Sequence, residues 1–265
     1  MKKIKMLSGL LAGLMLCAAA AGCGGSSGSS SGSSDKKAEA KKELVVGTNP
    51  SFAPFEFTDK KDGTIMGFDI DLINALAKKA GFEKVTIKNI AFDGLIPSLE
   101  AGNIDATITG MSITEERKKK VNFTDPYYES GLMAIVKKDN NSINSLDDLK
   151  GKTIAVQLGT TGAKYAETIP EAKVKTFDSS DLACLELKNG GADAVVSDLP
   201  VLQYFLKQGG SKYAKSVGTP KKGDFYGIAT AKSNKELCEK LNKALAELKQ
   251  SGEYQKIYDK WFKAE

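Results

Sequence analysis

The chain contains no histidine, and Arg117 is its only arginine; the other 37 of its 38 basic residues are lysine. Without histidine, Ser-His-Asp and Cys-His catalysis are excluded, and so are histidine-ligated metals. Cysteine is nearly as scarce. Past residue 23 only Cys184 and Cys238 remain, enough for one disulfide in an exported protein but reading better as small buried hydrophobes on helical faces. After residue 21 no apolar run is long enough to span a bilayer. Net charge is +5, and setting aside Lys2, Lys3 and Lys5 leaves +2 on a surface of scattered lysines, too little to point to nucleic acid. Against this background the single arginine matters. Lysine is a mobile point charge, whereas a guanidinium is a planar fork that grips both oxygens of a carboxylate or phosphate.

The N-terminus reads as a processed export segment. Lys2, Lys3 and Lys5 precede the apolar run from Met6 to Ala21, which leads into Ala20-Ala21-Gly22-Cys23. A basic start, a short apolar stretch and small residues before a cut describe a secretory signal over residues 1–22. Cysteine after Ala-Gly resembles a bacterial lipobox, implying lipidation of Cys23, although Ala20 stands where a larger aliphatic is usual. Cleavage by an ordinary signal peptidase, giving a freely secreted chain, is the alternative. Residues 23–43 are rich in Gly, Ser and Lys and read as a flexible tether.

The remaining residues alternate helix and strand patterns, which predicts α/β layers with parallel sheet. The clearest helix is 69–80: Leu72, Ile73, Leu76, Ala77 and Ala80 form one stripe, Asp69 is placed to cap it, and Gly81 stops it. Two stretches echo each other. Leu99-Glu100-Ala101-Gly102-Asn103-Ile104-Asp105-Ala106 leads to Gly110, and Leu187-Lys188-Asn189-Gly190-Gly191-Ala192-Asp193-Ala194 leads to Asp198 at the same spacing. A looser echo pairs Leu44–Thr48 with Ile154–Thr160. The repeats suggest two similar lobes with ligand positions at the carboxyl ends of their strands.

Gly67-Phe68-Asp69-Ile70-Asp71-Leu72, Phe92-Asp93-Gly94-Leu95, Ser112-Ile113-Thr114-Glu115-Glu116-Arg117, Gly159-Thr160-Thr161 and the closing Trp261-Phe262 occur in order. Over about residues 44–262 the chain resembles the family 3 solute-binding proteins, extracytoplasmic receptors for polar amino acids in ABC importers. The resemblance implies a two-lobed α/β fold of the type II periplasmic-binding-protein kind, with two parallel or mixed sheets flanked by helices and a ligand cleft between the lobes. Residues 44–131 with 230–265 would form the first lobe and 132–229 the second. Ser130-Gly131-Leu132 and Tyr226-Gly227-Ile228 are the candidate hinges, their glycines reading either as hinges or as strand irregularities.

By the same resemblance, Arg117 and Ser112 hold the ligand's α-carboxylate together with Thr160 and Thr161. Asp198 and the Gly110 carbonyl take the α-ammonium, and Phe52 and Phe92 flank the ligand. The physics agrees. A zwitterion stripped of water needs a charged, hydrogen-bonded partner at each end, and Arg117 and Asp198 supply opposite signs. The start of the helical stretch after Thr160 also favours an anion.

The resemblance also implies that Asn49, Gln157 and Ser197 line the side-chain end of the pocket. All three are neutral, which suits an amide and puts glutamine first, with asparagine or cystine behind it. An arginine or histidine receptor is the alternative, should Glu56 or Asp93 reach the pocket. The expected partners are a free L-amino acid, an importer permease and the membrane through Cys23. A monomer is expected, with no nucleic acid, cofactor or metal. The rival functions are a sensory or adhesive surface lipoprotein and a dehydratase-like enzyme on the same fold.

Overall fold

The computed structural model describes residues 42–263. The expected signal segment, the lipidation position Cys23 and nearly all of the tether lie outside the described residues.

Two five-stranded sheets carry the fold. In the first, Lys84–Asn89, Glu43–Thr48 and Ala106–Thr107 run parallel, and Ala229–Ala231 then pairs antiparallel with both Ala106–Thr107 and Val121–Phe123. The second repeats the plan. Lys173–Phe177, Thr153–Gln157 and Ala194–Asp198 are parallel, followed by Tyr128–Lys137, antiparallel to both of its neighbours, and Ala214–Tyr226. The echo in the sequence marks equivalent third strands of the two sheets. Gly102 and Gly190 both take positive φ, 72° and 82°, as helix-ending glycines do.

Both faces of the second sheet are covered, and the sequence responds accordingly. Along Tyr128–Lys137, Ala134 and Val136 join one apolar cluster, while Met133 and Ile135 join the other. A strand buried on both sides reads as a continuous apolar run, and Leu132-Met133-Ala134-Ile135-Val136 is one. In the first sheet the helix Phe68–Lys79 turns Leu72, Ile73 and Leu76 onto a core shared with Leu241, Leu245 and Leu248 of the helix Lys235–Gln250.

That helix starts one residue before the expected position, and Asp69 is not its cap. Gly67 holds the cap position at φ 141°, where a Cβ would stand 2.0 Å from the Phe55 carbonyl oxygen. Asp69 is wholly buried and turns inward.

The chain passes between the sheets twice, at Val121–Phe123 into Tyr128–Lys137 and at Ala214–Tyr226 into Ala229–Ala231. The two crossings lie side by side, with Tyr128 opposite Tyr226 and their rings stacked at 5.6 Å. Phe55 stands edge-on to Tyr128 at 4.8 Å, and Phe262 closes the cluster. Gly131 lies inside a continuous strand, and glycine is needed there because the neighbouring strand bulges beside it, leaving a Cβ only 2.5 Å from the Lys221 carbonyl oxygen. Cys184 and Cys238 are buried and free.

Candidate functional site

The strand ends of the two sheets face each other, and the expected residues meet there from both sides. Arg117 lies in the short helix Glu115–Lys118, started by Thr114, whose hydroxyl accepts from the Arg117 amide at 3.2 Å. Its guanidinium donates through Nη1 to the Ser112 carbonyl at 2.8 Å and through Nη2 to the Gly159 carbonyl at 3.0 Å. The second contact crosses to the other lobe. The guanidinium carbon also sits 5.2 Å from the Phe92 ring centroid. Five N–H groups are available, so two bonds to carbonyls leave three for an anion. Burial lowers the Arg117 pKa, while the charges of Asp198, Asp224 and Glu116 oppose that shift.

Asp198 ends the strand Ala194–Asp198 and is 4% exposed. Ser130 Oγ donates to its carboxylate at 3.3 Å, and the Tyr226 hydroxyl donates to Ser130 at 3.1 Å. Burial and then the nearby charge of Asp224 raise its pKa to about 7. A carboxylate buried at that cost, with only hydroxyls as donors, is poised to accept a cation.

Thr160 and Thr161 separate in role. Thr160 caps the helix Thr161–Glu167: its Oγ1 accepts from the Ala163 amide at 3.1 Å and donates to the Gln157 carbonyl at 2.8 Å. Its only hydroxyl proton is thus committed to the turn. Thr161 instead faces the other lobe, with its hydroxyl 3.5 Å from that of Ser112.

Gly110 takes φ +53°, and a Cβ there would stand 2.6 Å from the Phe52 ring. Phe52 is buried beside it, and Phe92 is half-buried under Arg117. The Gly110 amide is anchored from behind, donating to Asp69 Oδ2 at 2.9 Å, which also accepts from the Tyr127 hydroxyl at 2.8 Å. Beside Asp69 lies Glu56, also wholly buried, accepting from Thr109 at 2.8 Å. Glu56 therefore lies behind the cleft wall and does not reach the ligand side. Burial, then the charge of Asp69, push its pKa well up; burial raises that of Asp69 too, held back by hydrogen bonds including those from Gly110 and Tyr127. Glu56 Oε2 and Asp69 Oδ1 have no ordinary donor. A proton on Glu56, hydrogen-bonded to Asp69, satisfies both atoms at once.

The expected amide readers turn toward each other. Gln157 Nε2 donates to Asn49 Oδ1 at 2.9 Å across the cleft and to the Asp178 carbonyl at 3.3 Å, while its Oε1 accepts from Ser180 at 2.9 Å. Asn49 Nδ2 donates to the Ile90 carbonyl at 3.2 Å, and its Oδ1 also accepts from Ser51 at 2.7 Å. The pair forms a clasp between the lobes, and a Glu116–Lys164 ion pair forms another. Ser197 is buried, and strand alternation puts it on the face opposite Asp198, with Val195, whose cluster includes Ala183 and Cys184.

Asp224 is the acidic residue the sequence reading passed over. It pairs with Ser130 in register, two residues before Tyr226, which itself bridges to Ser112. Alternation therefore puts Asp224, Ser130 and Tyr226 on one face. Burial raises the Asp224 pKa, and hydrogen bonding from the Ser112 and Thr161 hydroxyls, with the Arg117 charge, holds it down. The only trace in the sequence is an acid two positions before an aromatic at a lobe crossing, a weak signal without the partners' positions.

A family profile described as bacterial extracellular solute-binding proteins, family 3, matches residues 44–264. The chain is 44% identical over 229 residues to ABC transporter arginine-binding protein 1 of Escherichia coli (strain K12), covering 85% of this chain and 93% of that protein. Among solved structures, an ancestral arginine-binding protein bound to arginine is 50% identical, with a TM-score of 0.82, covering 84% of this chain and 100% of that one. The structure of an ancestral arginine-binding protein bound to glutamine is also 50% identical, with a TM-score of 0.79, covering 85% and 100%.

Proposed function

This chain belongs to the bacterial extracellular solute-binding proteins of family 3, and on that premise we propose that it captures a free L-amino acid outside the cytoplasm and delivers it to the permease of an ABC importer. The observation that carries this reading is the convergence of Arg117 and Ser112 with Thr161 and Asp198 at one cleft between two sheets. The three free N–H groups of Arg117 and the two hydroxyls grip the α-carboxylate. Asp198 takes the ammonium, whose charge draws the Asp198 pKa back down, and Phe52 and Phe92 cover the aliphatic stem. Thr160, through its hydroxyl, supports the turn that presents Thr161.

On the ligand side chain, arginine moves ahead of glutamine. The amides of Asn49 and Gln157 bond each other and neighbouring groups, which weakens the argument for an amide ligand. Relatives named for arginine, at 44% and 50% identity, support the same order. Glutamine stays as the second ligand, because a scaffold of the same similarity has been seen with glutamine bound.

The closing bodies are the two sheets with their helices, flexing where Tyr128 and Tyr226 lie side by side. The chain works as a monomer, and its signal segment supports attachment through lipidated Cys23. Calorimetric titration with arginine, lysine, histidine, glutamine and glutamate tests the reading. Tight binding of arginine, weaker binding of glutamine and none of glutamate is expected. Preference for glutamine over arginine overturns the ranking, and binding of no amino acid overturns the function.

A further inference from the structure

Asp198 takes its hydrogen bonds from the crossings between the lobes. Tyr226 lies in the second crossing and is wholly buried. Its carbonyl accepts from the Tyr127 amide at 2.9 Å, in the first crossing, and its backbone bridges to Ser112. Its ring stacks on Tyr128 at 5.6 Å and backs Gly110, where a Cβ would stand 3.5 Å from it. Its hydroxyl donates to Ser130 at 3.1 Å, and Ser130 donates to Asp198 at 3.3 Å. The end of this chain fixes its direction. An ionised carboxylate only accepts, so Ser130 spends its single proton on Asp198, and Tyr226 must donate to Ser130. Two O–H dipoles thus point in line at one buried carboxylate, and each polarises the next. Tyr226 meets both acceptors of the ammonium: Gly110 through its ring and Asp198 through Ser130.

We propose that Tyr226 is a positioning residue for the ligand's ammonium group, acting through Ser130 to keep the Asp198 carboxylate charged and aimed while its ring backs Gly110. The inference rests on the zwitterion reading above. A buried tyrosine needs some partner for its hydroxyl, and a purely structural role ends there. Here the partner passes its only proton on to the acid assigned to the ammonium. Removing the Tyr226 hydroxyl leaves Ser130 a weaker donor and favours the protonated form of Asp198, so a proton competes with the ammonium at higher pH. Tyr226 also sits where the lobes flex, so closure and ammonium capture share one residue.

Tyr226→Phe removes one oxygen and keeps the ring and the backbone bonds, and Ser130→Ala cuts the chain one step nearer Asp198. Calorimetry with arginine and with glutamine tests the inference on the full-length wild type, both variants and the double variant, on either side of about pH 7. At pH 7 Tyr226→Phe is expected to bind both ligands about two- to tenfold more weakly, the worth of one neutral hydrogen bond. Ser130→Ala is expected to lose about tenfold or more, the worth of a bond to a charged group. In both variants the pH below which affinity falls is expected to move up, because Asp224 and Arg117, whose charges raise and lower the Asp198 pKa, are retained. The double variant is expected to match Ser130→Ala. Unchanged binding in Tyr226→Phe overturns the inference, and so does a loss equal at every pH, which is what a loosened fold gives. Additive losses in the double variant overturn the relay through Ser130, and a loss confined to one ligand moves Tyr226 to the side-chain end and overturns the inference too. A wild type that binds neither ligand overturns the zwitterion reading, and this proposal with it.

Discussion

Replacing Arg117 by lysine preserves the charge and removes the fork, which isolates geometry from electrostatics. In the protein the guanidinium spans the Ser112 carbonyl at 2.8 Å, the Gly159 carbonyl at 3.0 Å and the Phe92 face at 5.2 Å, with three N–H groups left over. An ammonium has three donors on one nitrogen. It cannot hold two carbonyls on different lobes and both oxygens of a carboxylate together. At least one charge-assisted bond to ligand and one lobe contact are lost, at about 1.5–3 kcal/mol for each bond to a charged group. Part is regained by the retained charge, so the expected net loss is about 2–4 kcal/mol, or roughly 30- to 1000-fold in Kd. Calorimetry with arginine measures this directly. The ligand-free melting temperature should fall only modestly, because the contact to the Gly159 carbonyl is lost while the Thr114 cap, made to the Arg117 backbone amide, is kept. A Kd within threefold of wild type would refute the reasoning and return Arg117 to a surface role.

Two pH effects follow from the buried acids. Asp198, raised to about 7, must be charged to hold an ammonium, so affinity should fall as pH drops below about 7, and Asp198→Asn should weaken binding by about 2–5 kcal/mol while abolishing that dependence. A wild-type affinity that is flat across this range would contradict the assignment of the ammonium to Asp198. Glu56 is raised well above the ordinary carboxylate range, so its contribution to stability is fully present below its unfolded pKa and lost as pH rises through its folded value. Glu56→Gln keeps a neutral donor facing Asp69 and should flatten the decline of the ligand-free melting temperature toward alkaline pH. An unaltered slope in that variant would show that the shared proton is not where the structure puts it.

The features that sequence made legible were those written in local pattern. The apolar stripe of Leu72, Ile73 and Leu76 located a helix, the paired glycine turns at Gly102 and Gly190 marked equivalent strands, and Ser112 to Arg117 formed one continuous motif. The features it hid depend on facing partners distant in the chain. Asn49 and Gln157 stood as readers of a ligand amide through the family resemblance, and only the fold reveals that they bond each other. Asp69 looked like a helix cap because it stands at a helix start, yet burial and the Gly110 amide claim it. Gly131 read either as a hinge or as a strand irregularity, and local pattern could not reveal the bulge opposite it that requires a glycine. Asp224 gave almost no signal, because its place on the face of Ser130 and Tyr226 comes from strand register with a segment distant in the chain.

The central claim is that the cleft recognises the two charged ends of a free amino acid. Titrating the protein with arginine and with its decarboxylated amine, which keeps the guanidinium and the ammonium but lacks the α-carboxylate, tests it most directly. Arginine should bind, and loss of the group held by Arg117, Ser112 and Thr161 should weaken the amine by at least about 100-fold, near 2.7 kcal/mol. Equal binding of the two would contradict the account.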